Sequence, residues 1–287
     1  MSRATTLLII DPQNDFCDLP ESWRGTDPLR HVPIAPALPV QGAHADMLRL
    51  ADLIDEAGDG VARIVVTFDS HHRCDIAHPT FWQTGAGAAV NPFTAITAAQ
   101  VRAGAYRPRD AGALPRALAY LDALEEAGRY TLMVWPVHCE IGSWGHNVHP
   151  AVKAAYNRWE DRRLGVVEKI AKGSHPWTEH YSALQAEVPD PADEGTQLNR
   201  GLIARLDEAD RIVIAGEASS HCVKATVEHL AQHLPSRRLD KLVLLTDAMS
   251  PVSGFEAQAQ AFLADLRHQG AQLATCAEVL PLLRAEA

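Results

Sequence analysis

The sequence predicts an α/β fold: a single three-layer α/β/α domain built on a mainly parallel sheet. Three observations predict it. Short apolar runs rich in β-branched residues and leucine recur along the chain, and helical periodicity fills most of the intervals between them. The runs are continuously apolar rather than alternating, which is the pattern of strands covered on both faces by helices. No repeat, linker or low-complexity tract breaks the succession, so one domain is expected over 1–287.

In chain order, strands are expected at Thr5 to Ile10, Ala62 to Thr67, Tyr130 to Trp135, Val166 to Ile170, Arg211 to Ala215, Lys241 to Leu245 and Gln272 to Ala274. Each is a short aliphatic or β-branched run of strand length. Helices are expected at about 43–57, 115–127, 147–160, 198–208, 222–233, 255–269 and 276–285, where the period lengthens from that of a strand to that of a helix. The helix over 222–233 is typical: Val223, Val227 and Leu230 share one face. Two connections are long for a compact domain. Asp18 to Pro39 holds several prolines and an Arg-Gly turn, and Gln83 to Ala113 is rich in Gly and Ala. Such insertions either shape a ligand edge or form solvated excursions.

With 47% hydrophobic residues the chain can build a large core without disulfide staples. Its formal charge of -10 and lack of a basic stripe argue against nucleic acid as a partner. The five cysteines (17, 74, 139, 222 and 276) show no CxxC spacing, which fits a reducing compartment. The N-terminal apolar run is too short for a signal peptide and no stretch approaches a membrane span, so a cytoplasmic location without membrane contact is expected.

Cys222 is the most informative residue. Four apolar residues, Ile212 to Ala215, lead into a polar Gly-Glu-Ala-Ser-Ser-His connection, and the helix begins at the cysteine. A thiol there points out of the carboxyl edge of the sheet with the positive end of a helix dipole behind it, which favours the thiolate. The plain alternative is a small buried hydrophobe.

Ligands of open parallel sheets bind beyond the carboxyl ends of the strands, and there the chain offers Asp11, Asp69, His71, His138, Lys172 and Cys222. Singly, each has an ordinary reading as a turn, cap, loop or solvated residue. Together they sort into two sets. Asp11, Lys172 and Cys222 provide a proton acceptor, a cation and a nucleophile. Asp69, His71 and His138 provide one carboxylate and two imidazoles, suited to zinc, iron or manganese with positions left for water or substrate. Asp69 and His71, at i and i+2, point the same way if the strand continues that far. His78 could add a fourth ligand, but it reads with His72 as a loop residue.

At the level of motifs the chain resembles the isochorismatase-like cysteine hydrolases, and within them the nicotinamidase/pyrazinamidase branch. The resemblance rests on DPQNDFC (11–17), LPVQGA (38–43), FDSHHRCDIAHPTF (68–81), WPVHCEIGSWGHNVHP (135–150), AKGSHPWTEHYSAL (171–184) and GEASSHCVKAT (216–226), in the family's order from the first strand to the last. It implies an Asp11, Lys172, Cys222 triad and one divalent metal, zinc before iron or manganese, on Asp69, His71 and His138. It implies further an aromatic wall from Phe16 and Trp135, a cis peptide between Glu217 and Ala218, and an oxyanion hole from the Ala218 and Cys222 N–H groups. The implied reaction releases ammonia from a small heteroaromatic amide such as nicotinamide through a cysteine thioester. A homo-oligomer is also expected.

The chain departs from the family pattern at Ser70 and His72, which flank His71, and at Glu217 and Ser220 before the cysteine. These departures leave two other readings open: a relative acting on another amide, carbamoyl or ureido group, and a catalytically silent binding or scaffold protein.

Overall fold

A computed structural model describes residues 4–285. Its elements run β1 (Thr5–Ile10), α1 (Ala43–Ala57), β2 (Arg63–Asp69), β3 (Trp82–Thr84), β4 (Thr94–Ile96), α2 (Ala98–Arg102), β5 (Tyr106–Pro108), α3 (Leu114–Ala127), β6 (Leu132–Val134), α4 (Pro150–Arg163), β7 (Glu168–Lys172), α5 (Arg200–Asp207), β8 (Arg211–Gly216), α6 (Cys222–His233), β9 (Leu242–Leu245), α7 (Glu256–His268), β10 (Gln272–Ala274) and α8 (Cys276–Arg284).

The central sheet has six parallel strands in the order β10-β9-β8-β1-β2-β7. Every residue of β1, β8 and β9 is buried, as the unbroken apolar runs require of strands covered on both faces. On one side α1 packs against α4 and α8. The buried hydrophobic residues form one cluster reaching from Leu7 to Leu283. No described helix is long and apolar enough to cross a membrane.

Register places the site. β1 pairs with both β2 and β8, and β2 pairs with β7 so that Asp69 lies opposite Lys172. β2 runs two residues beyond its expected end and includes Asp69. Helix α4 begins later than expected, because Pro150 occupies its first turn and His149 Nδ1 accepts the Ala151 N–H at 3.2 Å.

The structure corrects two expectations. The run Tyr130 to Trp135 is not a strand of the parallel sheet: only Leu132–Val134 is extended, and it pairs antiparallel with β4. The reason is competition for partners. β7 takes the β2 edge, while the 83–113 insertion supplies β4 as an alternative neighbour. That insertion is not an irregular loop, since it also forms α2, capped by a reciprocal Thr97 and Gln100 box, and a β3–β5 ribbon. The 18–39 segment is mostly irregular. It is tied down where Asp15 accepts the Ala37 N–H on Oδ1 at 3.0 Å and the Leu38 N–H on its main-chain oxygen at 3.0 Å.

Trp82 anchors the start of the insertion. Its side chain is fully buried and its Nε1–H donates to the Ile76 carbonyl at 2.7 Å. Trp82→Ala is expected to cost about 3 to 5 kcal/mol of stability in urea unfolding; a cost within about 0.5 kcal/mol, the range of a surface substitution, would show that the insertion is not integral to the core.

Candidate active site

The site grows from the carboxyl ends of β1, β2, β7 and β8. Asp11 follows β1 with φ of 46°, a left-handed turn that aims its side chain across the strand ends. Thr67 of β2 holds it twice: its Oγ1 accepts the Asp11 N–H at 3.0 Å and donates to Asp11 Oδ1 at 2.5 Å. The remaining Asp11 oxygen, Oδ2, lies 3.0 Å from Lys172 Nζ.

Lys172 is buried at the end of β7 and its ammonium is fully engaged. It donates to Asp69 Oδ1 at 2.9 Å and to the His180 carbonyl at 2.8 Å, and it stands 3.7 Å from Cys222 Sγ. Burial works against its charge, but Asp11 and Asp69 outweigh this and hold the ammonium well above its ordinary pKa. The structure therefore brings Asp11, Lys172 and Cys222 together.

Cys222 opens α6 and is 6% exposed. Burial, with Asp11 and Asp69 adding to it, pushes the thiol well above its usual pKa despite the pull of Lys172. The expected resting thiolate is thus corrected. The helix terminus and one shared cation do not outweigh desolvation and two carboxylates, so Cys222 rests as a thiol beside a proton acceptor.

Before Cys222, the peptide between Glu217 and Ala218 is cis. Gly216 adopts φ of 119°, and a Cβ there would lie 1.9 Å from the Ile10 carbonyl oxygen, so only glycine lets β8 leave the sheet this close to β1. Among the described residues neither the Ala218 nor the Cys222 N–H has a protein acceptor, and both residues line the same cavity.

The three metal-type residues also converge. His71 Nδ1 pairs with Asp75 Oδ2 at 3.1 Å, and His138 Nδ1 with the Pro136 carbonyl at 2.8 Å. Both Nε2 atoms turn toward one oxygen, Asp69 Oδ2, at 3.0 Å from His71 and 3.2 Å from His138. His78, read from sequence as a loop residue, is fully buried in this cluster: donor atoms of His71, His78 and His138 lie within 4.8 Å of one another. Burial holds its pKa down, to about 3, so it stays neutral, and its Nδ1 has no protein partner. Three imidazoles and one carboxylate fit a transition-metal site. His72, by contrast, is exposed.

Phe16 and Trp135 both line the cavity with Leu38, Tyr181, Ala218 and Cys222. Trp135 is 3% exposed and its Nε1–H donates to Tyr181 Oη at 3.0 Å. Leu38 comes from the 18–39 segment. No lining residue comes from 83–113; among the described residues this insertion approaches the site through Phe93, edge-on to Trp135 with ring centroids 5.9 Å apart, and through β4. Sequence reasoning missed Thr67, Asp75 and Glu179. Glu179 is a buried cavity-lining carboxyl whose Oε1 accepts the His180 N–H at 2.9 Å. Thr67 alone carried a signal, as a polar residue in an otherwise apolar strand; Asp75 and Glu179 stand in polar connections that do not single them out.

This architecture is that of the isochorismatase-like α/β fold. The chain superimposes on the yeast nicotinamidase bound to the inhibitor nicotinaldehyde with a TM-score of 0.62 and 20% identity, covering 94% of this chain and 99% of that one. It is similar to an Acinetobacter baumanii nicotinamidase/pyrazinamidase (TM-score 0.61, 18% identity, 96% and 98% covered) and to the Pyrococcus horikoshii pyrazinamidase in complex with zinc (0.51, 18%, 94% and 98%). No protein-family model and no curated protein matches the sequence.

All five cysteines are free, and only Cys74 is exposed. Brief iodoacetamide treatment at neutral pH is expected to label Cys74 first, while Cys17, Cys139, Cys222 and Cys276 react slowly. Mass mapping checks the order; Cys222 labelled ahead of Cys74 would restore the resting thiolate.

Proposed function

We propose that this protein is a cysteine amidohydrolase that releases ammonia from a small heteroaromatic amide, of which nicotinamide is the type, through a Cys222 thioester. The observation that carries the reading is the buried Lys172 ammonium, 3.0 Å from Asp11 and 3.7 Å from the sulfur of Cys222, which lines a cavity together with Phe16 and Trp135. Proteins of this fold solved with nicotinaldehyde, nicotinate or zinc bound support the same reading.

In this mechanism the amide ring lies between Phe16 and Trp135, with its carbonyl carbon above Cys222. Asp11 takes the thiol proton as Sγ attacks, so charge separation is not required before the bond begins to form. Lys172 holds Asp11 in place and lowers the cost of negative charge on sulfur. The Ala218 and Cys222 N–H groups receive the developing oxyanion, an interaction of a kind whose loss typically costs about 3 to 4 kcal/mol in barrier. Asp11 passes its proton to the departing nitrogen, ammonia leaves, and a water deprotonated by Asp11 opens the thioester to yield the carboxylate and the free thiol. A divalent metal, zinc before iron or manganese, held by Asp69, His71, His138 and His78, would supply Lewis acidity and a template for the substrate ring or its waters.

Ammonia release across a panel of primary amides, carbamoyl and ureido compounds tests this function. Nicotinamide or pyrazinamide is expected to be turned over, and Cys222→Ala to lower the rate by about 10³-fold or more. Turnover of ureido compounds alone would reassign the substrate; no turnover of any would leave a binding protein. Elemental analysis is expected to find one divalent metal per chain, lost in Asp69→Ala and reduced in His78→Ala while circular dichroism stays unchanged. Equal metal content in all three proteins would reject these ligands.

A further inference from the structure

Beside the cavity wall an exposed aromatic side chain stands at a backbone position that does not suit it. Phe93 lies in the 83–113 insertion, just before β4, and adopts φ of 63°. That left-handed conformation is an outlier for a bulky residue, and after a proline in a turn it is the ordinary place of glycine or asparagine. Pro92 and Phe93 form such a turn. The ring is also 57% exposed, so burial gives little in return for the strain.

What the ring does contact is Trp135. Among the described residues this is its one aromatic neighbour, edge-on at an interplanar angle of 87° with centroids 5.9 Å apart. The contact is firmly mounted. Phe93 N–H donates to the Val134 carbonyl at 2.6 Å, and the β4–β6 ladder continues from it with Thr94 opposite Val134, Ala95 opposite Met133 and Ile96 opposite Leu132. Thr94 Oγ1 closes the turn by donating to the Asn91 carbonyl at 2.7 Å. Phe93 is therefore fastened to the residue directly before the tryptophan it touches.

Trp135 needs a support of this kind. Its N–H donates to the Ala77 carbonyl at 2.7 Å, which fixes the main chain but leaves the side-chain angles to the neighbours. Two of these, Tyr181 through the 3.0 Å hydrogen bond and His221 edge-on at 5.2 Å, themselves line the cavity. Phe93 does not line it, so Phe93 supports the indole from outside the space that a ligand would fill.

We propose that Phe93 is a positioning residue, which holds the Trp135 ring at a fixed angle along the cavity and thereby sets the affinity of the site for flat aromatic amides. The effect on affinity rests on the proposed function; the ring support does not. A planar substrate gains affinity from a wall that is in place before it arrives. Removal of the Phe93 ring leaves open space beside the indole, and the wall is no longer preset. Binding weakens, whereas the chemical step, carried by Cys222, Asp11 and Lys172, keeps its geometry.

Phe93→Gly separates this role from a structural one, because glycine suits the left-handed backbone and relieves the strain. Its melting temperature is expected to equal or exceed that of the wild type. KM for the aromatic amide turned over is expected to rise about fivefold, the scale of one aromatic pair, with kcat within about twofold. Phe93→Tyr, which keeps the ring, is expected to retain the wild-type KM. An unchanged KM in Phe93→Gly, or a lowered melting temperature, overturns the positioning role. Fluorine NMR of the fluorotryptophan-labelled protein reads the ring without turnover. The Trp135 line, assigned by its loss in Trp135→Phe, is expected to broaden in Phe93→Gly and to stay sharp in Phe93→Tyr; a line as sharp in Phe93→Gly as in the wild type overturns the ring support. If no aromatic amide is hydrolysed, the proposed function fails, while the line width still decides the support.

Discussion

The site depends on one buried cation. Lys172 is 3% exposed, and an ammonium at that depth is stable only with compensating charge and full hydrogen bonding. Asp11 supplies one carboxylate, Asp69 the other, and the His180 carbonyl accepts the third proton. Each carboxylate needs the lysine as much as it is needed. Asp11 is buried and Asp69 nearly so, and without the ammonium they would face each other unpaired, a defect that typically costs about 3 to 5 kcal/mol when one partner of a buried pair is removed.

From that constraint follows the division of labour between the two halves of the site. Asp69 gives Oδ1 to Lys172 and Oδ2 to His71 and His138, so a single side chain joins the nucleophile's side to the metal-type side. Position matters more than composition here. Asp69 can serve both only because β2 runs through it and β7 pairs in the register that sets Lys172 opposite. Gln13 fixes the same point, donating from its side chain to the Asp69 carbonyl at 2.8 Å and accepting the Asp69 N–H at 2.7 Å.

The departures from the related motifs also find a place. Ser70 Oγ contacts His146 Nε2 at 2.9 Å, away from the metal-type cluster, so the changed residue beside His71 leaves the donor set intact. Ser220 accepts the Val252 N–H and contacts His221 Nδ1 at 2.9 Å, joining the cysteine loop to the segment after β9. Glu217 becomes the chain's own addition to that loop. The insertions work indirectly: 18–39 adds Leu38 to the cavity wall, and 83–113 braces Trp135 from behind through β4 and Phe93.

By itself the sequence determined the parallel sheet and its helices, because strands buried on both faces must be continuously apolar and that pattern survives without any knowledge of partners. It also determined which residues stand at the carboxyl edge, since Asp11, Asp69 and Lys172 each follow a strand run and Cys222 opens the helix after one. Only the tertiary structure decided that Tyr130 to Trp135 leaves the sheet, because pairing is a competition among strands that no single strand encodes. Likewise it alone brought in His78, Thr67, Asp75 and Glu179, whose neighbours in space are distant in sequence or hidden within loops. The protonation of Cys222 belongs with these. A helix N-terminus can be read from a sequence, but burial and the carboxylates around the thiol exist only once the chain has folded, and they outweigh it.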